Sequence, residues 1–269
     1  MREQGDVVRL STLADVGIGY VTGGNDFFHL NSNGAAEWGI PSRFLRAGGR
    51  RGRALSGLRF TKEDWQTALT LGEAGYLLEL PPNGELPDSI MRYLAHGQKL
   101  GVHRTFKCRT RKPWYHVPHV YHPDAFLTYM SGDVPRLVAN DAGVVAPNSL
   151  HVLRLHRHAR VTPDRVAALW QTSLARLSAE IEGHSLGGGM LKLEPSEAEE
   201  VLLPFPRKRD ALESLAAELD EVSRKQGHEE CTRIADGQLL QKGMGLSPAD
   251  CHLLRAAGET LRSRRLSRG

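Results

Sequence analysis

The sequence predicts an α/β fold of the mixed α+β kind: a twisted mixed sheet with flanking helices, followed by a helical C-terminal segment. Three observations carry that prediction. Short apolar and β-branched runs bounded by glycine, proline and asparagine recur between residues 7 and 155. Helical periods with capping residues are interspersed among them, but not in the regular alternation that a doubly wound parallel sheet requires. From about residue 207 onward only helical patterns remain.

Taken in order, residues 7–13 and 19–22 read as short strands about a turn at Gly17, and 27–30 as a strand after the turn Gly23-Gly24-Asn25-Asp26. Residues 48–53 (GGRRGR) have no packing pattern and read as a solvated loop. Thr61 is placed to cap a helix whose first turn carries Glu63 and Asp64, with Trp65, Ala68 and Leu69 inward. Residues 75–80 read as a strand ended by Pro81-Pro82, and 88–97 as a short helix with Ile90, Met91 and Leu94 inward. The stretch 104–131 holds three prolines and is not one helix. Its end, 125–130, reads as a strand, as do 135–139 and 150–155. Thr162-Pro163-Asp164 starts a helix with Val166, Leu169, Trp170, Leu174, Leu177 and Ile181 on one face, stopped at Gly183. Residues 185–193 read as a glycine bend entering a strand, and 207–225 as an amphipathic helix with Leu212, Leu215, Leu219 and Val222 in a stripe. Residues 227–245 read as a linker, and Ser247-Pro248-Ala249-Asp250 opens a last helix with a capping-box pattern. The division expected is a body at 1–206 and a helical segment at 207–269, the latter a candidate for docking a partner or for packing back on the body.

A chain of 269 residues with 40% apolar and 25% charged residues buries a core without staples. No apolar run approaches the length of a membrane span, and the first ten residues lack an apolar signal core, so a cytoplasmic location is expected. Cys108, Cys231 and Cys251 are scattered and form neither a disulfide framework nor a metal pair.

The net charge, 35 − 31 = +4, hides a polarised distribution. Residues 39–62 carry seven basic side chains (Arg43, Arg46, Arg50, Arg51, Arg53, Arg59, Lys62) and no acid. Residues 89–123 carry seven more (Arg92, Lys99, Arg104, Lys107, Arg109, Arg111, Lys112), again with no acid. Residues 194–230 reverse the sign, with eleven acids against five bases, and a basic tail (Arg262, Arg264, Arg265, Arg268) ends the chain.

Few residue patterns point to catalysis. His116, His119 and His122 have helical spacing for a metal, but Pro118 and Pro123 break any such helix, and no metal site is expected. There is no nucleophile elbow and no phosphate-binding loop. The glycine clusters Gly17/Gly19/Gly23/Gly24, Gly48/Gly49/Gly52 and Gly187/Gly188/Gly189 lack the strand-to-helix context of a nucleotide cradle and read as tight turns. What remains is the pair of acid-free segments, the second interleaved with Phe106, Trp114 and Tyr115. Cations neutralise phosphates and arginine can read guanine, so these segments are candidate DNA contacts, or simply solvated faces. Asn25, Asn140 and Asn148 sit in turns, where each can offer an amide to a base edge or bond its own backbone.

Four stretches in this order carry a resemblance: residues 17–28 (GIGYVTGGNDFF), 111–115 (RKPWY), 135–140 (PRLVAN) with Asn148, and 187–197 (GGGMLKLEPSE) running on to 202–206 (LLPFP). Over about residues 7–206 the chain resembles the TaqI-like C-terminal specificity domain of adenine-specific DNA methyltransferases, the target-recognition domain of many type II and type IIG restriction–modification enzymes. The resemblance implies the fold of such domains and binding of double-stranded DNA. It also implies structural roles for Gly187, Gly188, Gly189 and the Glu194-Pro195 step, beside the turn glycines Gly23 and Gly24. In such enzymes a separate domain binds S-adenosylmethionine and methylates a flipped adenine, holding it with an Asn/Asp-Pro-Pro-Tyr/Phe tetrapeptide.

The only Pro-Pro here, in Leu80-Pro81-Pro82-Asn83, lacks both the polar clamp and the aromatic stack. The recognition-like region begins within ten residues of Met1. The expectation is therefore a specificity module without catalytic residues or a bound cofactor, working with a catalytic methyltransferase chain that holds S-adenosylmethionine. Arg46, Arg50, Arg51, Arg53, Arg104, Lys107, Arg109, Arg111 and Lys112 are expected to contact DNA, with Asn25 and Asn140, and Trp114 and Tyr115 to position that segment or to be core. The alternatives are a stand-alone enzyme, either a methyltransferase remnant or a nuclease, and an RNA-binding or scaffold module.

Overall fold

A computed structural model describes residues 7–49, 52, 55–72, 74–206 and 212–267. In chain order the elements are β1 (Val7–Arg9), β2 (Ala14–Ile18), α1 (Asn25–Phe28), β3 (His29–Leu30), α2 (Ser32–Glu37), β4 (Leu45–Gly49), α3 (Lys62–Thr70), β5 (Ala74–Leu78), α4 (Asp88–Lys99), α5 (Phe106–Arg109), β6 (Ala125–Thr128), β7 (Met130–Ser131), β8 (Leu137–Ala139) and β9 (Leu150–Leu155). There follow α6 (Pro163–Trp170), α7 (Ser173–Glu182), β10 (His184–Leu186), β11 (Met190–Lys192), α8 (Pro195–Glu200), β12 (Leu202–Pro204), α9 (Leu212–Lys225), α10 (His228–Ala235) and α11 (Pro248–Leu266).

The mixed α/β architecture is organised around a four-stranded sheet in the order β2-β9-β6-β8. Side chains alternate across a strand, so successive residues reach opposite faces. Ala125 and Leu127 of β6 join Val16, Leu137 and Leu153 in one core cluster, while Phe126 joins Val138, Leu150 and Val152 in another. Both faces are thus buried, which is why 125–127 reads as an unbroken apolar run. Trp170, Leu169 and Val166 of α6 cover the first face, and the Trp170 indole N–H donates to the Pro135 carbonyl at 2.8 Å. Leu55, Phe60, Val144 and Ala146 cover the second.

Among the described residues every ladder between named strands is antiparallel. Among the described residues the parallel component of the mixed sheet expected consists of isolated bridges, such as Tyr20 with Pro147. A second lobe is built on the sheet β3-β5-β4 and α4, around Tyr20, Phe27, Phe28, Leu77, Ile90, Tyr93, Val102 and Cys108. The Tyr93 hydroxyl is buried, donates to the Phe27 carbonyl at 2.6 Å, and has its pKa pushed up to about 12 by that burial.

The helices after residue 206 are continuous with the body. Leu212, Leu215, Ala216, Leu219 and Val222 of α9, with Cys231 and Ala235 of α10, lie in the same buried cluster as β2, β6 and β8. Asp220 of α9 accepts from the Leu58 and Arg59 N–H groups at 2.7 and 3.0 Å. The expected start of this helix, at 207–211, lies outside the described residues. The linker expected at 227–245 is instead α10 followed by π-helical turns over Asp236–Lys242.

Other expectations shift by physical cause. Residues 7–13 split at a 3-10 turn over Leu10–Thr12, and Gly17 lies inside β2 rather than at a turn. Asn25–Phe28 is one helical turn that leaves only His29 and Leu30 extended. Part of the expected loop at 48–53 is sheet, since Gly48 and Gly49 pair with Gly75 and Ala74. The single helix expected up to Gly183 breaks at Gln171-Thr172, where the Thr172 side chain caps α7. The break resets the helical phase and leaves Ile181 61% exposed. Met91 is outward on α4, 54% exposed, against the inward placement expected. The caps at Thr61 and Ser247 form as anticipated, both as full capping boxes.

Candidate nucleic-acid interface

The second acid-free segment is held on the second lobe by its inward side chains. After α4, Gly101 turns the chain with φ +77°, and a 3-10 turn over Val102–Arg104 leads into α5. Val102 and Cys108 are buried, and the Cys108 thiol points to the Thr22 carbonyl at 3.6 Å. Arg111 reaches back across the glycine turn. One terminal nitrogen donates to the Thr22 carbonyl at 2.6 Å and the other to the Val21 carbonyl, and burial lowers the pKa of the guanidinium. Gly23 has φ +84°, and a Cβ there would stand 2.7 Å from Lys107 Cβ. Only glycine fits both the left-handed backbone and this close approach. The Gly23-Gly24 turn and the basic segment are therefore mutually seated. Trp114 packs with ring centroids 5.7 Å from Phe27 and 5.9 Å from Tyr115, so both sequence-selected aromatics are half-buried supports.

The outward side chains of the segment are Lys99, Arg104, Lys107, Arg109 and Lys112, all exposed, with Arg92 on the outer face of α4. Among the described residues none of these six forms an ion pair. About half of the described cations elsewhere form ion pairs. Arg46 pairs with Glu79 and Arg59 with Asp141. Arg224 pairs with Asp64 and Asp220, which raise its pKa further. Arg262 pairs with Asp133 and Glu259. Arg265, in the basic tail, is buried against Glu180 at 2.7 Å. Arg50, Arg51 and Arg53 lie outside the described residues; Gly52 between them has its carbonyl held by Arg136 at 2.9 Å.

The remaining sequence-selected residues fall in three places. Asn25 is exposed at the first position of α1, beside Gly24, and its Oδ1 accepts from the Thr22 hydroxyl at 2.5 Å. Asn140 is fully engaged by backbone groups. Its amide donates to the Pro123 and Val144 carbonyls at 2.8 and 2.9 Å, and its oxygen accepts from the Val144 N–H at 3.0 Å. Gly187–Gly189 form a 3-10 turn with Gly188 at φ +74° and Gly189 at φ +69°. A Cβ on Gly189 would meet Leu266 of α11 at 3.1 Å, so the turn serves helix packing. His116 and His122 each face a backbone carbonyl, of Leu80 at 3.1 Å and Gly143 at 2.6 Å. Among the described residues no group of three or more His, Cys, Asp or Glu is placed to hold a metal. Sequence reasoning noted Phe106 only as one of the interleaved aromatics; its 64% exposure depends on tertiary packing.

The family model for the C-terminal domain of the type II methyltransferase M.Eco57I matches residues 1–240, and the chain belongs to that family. The resemblance seen in the sequence thus holds at the level of a type II methyltransferase C-terminal region. Over 194 residues the chain is 22% identical to the type II methyltransferase M.AccI of Acinetobacter calcoaceticus, a match covering 71% of this chain and 36% of the relative. The chain accordingly spans about a third of that relative's length. The type IIG restriction endonuclease BpuSI shares the fold, with a TM-score of 0.57 at 15% identity over 97% of this chain and 31% of that one. No helix among the described residues is long and apolar enough to cross a membrane.

Proposed function

We propose that this chain is a sequence-specific recognition module for double-stranded DNA, of the TaqI-like type found in adenine-specific methyltransferases, and that it works in the cytoplasm with a catalytic methyltransferase chain in trans. The observation that carries the reading is the row of exposed cations Lys99, Arg104, Lys107, Arg109 and Lys112, without an ion pair among the described residues, on an internally bonded seat. An unpaired cation on the surface keeps its full capacity to neutralise a phosphate, whereas one already paired must first give up its partner. Lys99, Arg104, Lys107, Arg109 and Lys112, with Arg92, take the phosphates and base edges. Arg111 and Trp114 hold the segment in place. Asn25 is the amide best placed to reach a base, while Asn140 is structural. Arg46, if it contacts DNA, exchanges Glu79 for a phosphate.

S-adenosylmethionine belongs to the partner in this reading. The Leu80-Pro81-Pro82-Asn83 step does not fit a base clamp: Leu80 is buried in the second lobe, and its carbonyl faces the His116 ring. No methyl-transfer step is assigned to this chain.

Binding of fluorescent duplex DNA, followed from about 50 to 200 mM salt, tests the reading, because phosphate contacts make affinity fall steeply across that range. A flat affinity would rule it out. Labelled S-adenosylmethionine incubated with DNA and this chain alone should give no methylated product; product formation would replace the trans reading with that of a stand-alone enzyme.

A further inference from the structure

Phe106 is a large apolar side chain that the fold leaves in water. It opens α5 in the middle of the unpaired cationic segment and is 64% exposed. The Lys107 ammonium and the Arg109 guanidinium lie 5.7 and 5.4 Å from its ring centroid. The backbone beneath is fixed, because Cys108 is fully buried and Lys107 abuts Gly23. An exposed ring on a fixed mount, with two surface cations resting over it, supplies the two components of unpaired-strand recognition once those cations swing onto phosphates: a stacking surface for a base and charges for the phosphates on either side.

We propose that Phe106 stacks on a nucleobase at an opened or unpaired position of the DNA, with Lys107 and Arg109 on the flanking phosphates. The proposal rests on the DNA-recognition reading and adds a contact that reading does not require: phosphate and base-edge contacts alone need no exposed ring. An apolar wedge at a base step compensates for lost base stacking, so a site where stacking is already broken should bind more tightly than a continuous duplex.

The test compares the full chain on two DNAs that share one strand, one with the full complement and one whose complement carries an abasic site opposite a single adenine. The wild type is expected to prefer the second by about tenfold, a preference of the size base–aromatic stacking supplies. Phe106→Ala and Phe106→Leu should both bind the paired duplex as the wild type does and lose the preference. Phe106→Trp should keep it, with tryptophan emission quenched on the unpaired-base DNA relative to the wild type. Equal wild-type binding of the two DNAs, or a preference that survives in Phe106→Leu, would overturn the stacking role while leaving the recognition reading intact. A wild-type chain that binds neither DNA overturns both. Circular dichroism of each variant verifies the fold, which a side chain this exposed does not determine.

Discussion

At the scale of single residues, the polar groups that hold this molecule together are the ones most easily mistaken for ligands' partners. Arg265 lies in a tail whose charge suggests an anion, yet it is only 3% exposed. It pairs with the nearly buried Glu180 and donates to the carbonyls of Gly132, Asp133 and Gly189, tying α11 to the glycine turn. Replacing one partner of such a pair strands the other charge in the interior. Arg265→Met should therefore cost about 3–5 kcal/mol, read as a drop in the urea midpoint at unchanged slope. His151 gives a second prediction. It is buried, and its Nε2–H donates to the Leu193 carbonyl at 2.6 Å; burial holds its pKa below the ordinary value. As pH falls, the unfolded chain takes up the proton first. The stability is complete above about pH 6.5 and declines below it, by at most about 1.4 kcal/mol per pH unit for one histidine. His151→Gln should flatten the part of that decline that it owns, measured by urea unfolding between about pH 7.5 and 5.5; a slope identical to the wild type would show that other groups, such as His228, carry it all.

At the scale of elements, legibility in the sequence followed the strength of local signals. The capped helices α3 and α11, the leucine-striped helix α9 and the apolar strands β6 and β9 were readable, because caps, stripes and continuous apolar runs act within a few residues. Three misses share a different cause. The burying face of α10 is made of Cys231 and Ala235, continued by Leu239 at the same spacing of four, and small residues give a weak periodic signal. Strand β4 contains Arg46 and two glycines, poor strand formers that pair with β5 only because the lobe places them there. The helix break at Gln171-Thr172 is fixed from a distance, by Asp236 accepting the Ser173 N–H at 2.8 Å. In the candidate site the charge of 99–112 was legible. Which cations are unpaired was not, since pairing depends on residues far away in the chain. The same long-range logic predicts that a fragment covering 1–206 will not fold cooperatively. It would expose the part of the shared buried cluster that α9 and α10 supply against α6 and lose the Asp220 bonds to residues 58 and 59. A sigmoidal urea transition for that fragment, at the midpoint of the full chain, would show that the C-terminal helices are dispensable.

At the scale of the whole molecule, the small net charge is a cancellation with a direction. Residues 20–122 carry fourteen basic and eight acidic side chains, a surplus of six, while the rest of the chain has a deficit of two. A body polarised in this way meets a polyanion with one side first. If phosphates lie against the segment at 99–112, each cation removed there should lower the steepness of the log-affinity against log-salt plot by about 0.9. Lys107→Ala with Arg109→Ala should thus reduce it by about 2, with the main loss of affinity at low salt. Arg233→Ala with Arg262→Ala, the same change in net charge made where Glu230 and Asp133 already pair with the arginines, should leave the slope unchanged. Arg111→Ala belongs to neither class. Its guanidinium binds the Val21 and Thr22 carbonyls, so its loss should weaken DNA binding through a loosened segment, with faster amide exchange at the Gly23-Gly24 turn and a slope shifted by no more than one charge. Equal slope changes in the paired and unpaired double variants would mean that DNA senses only the total charge, and the interface would have to be sought off this lobe.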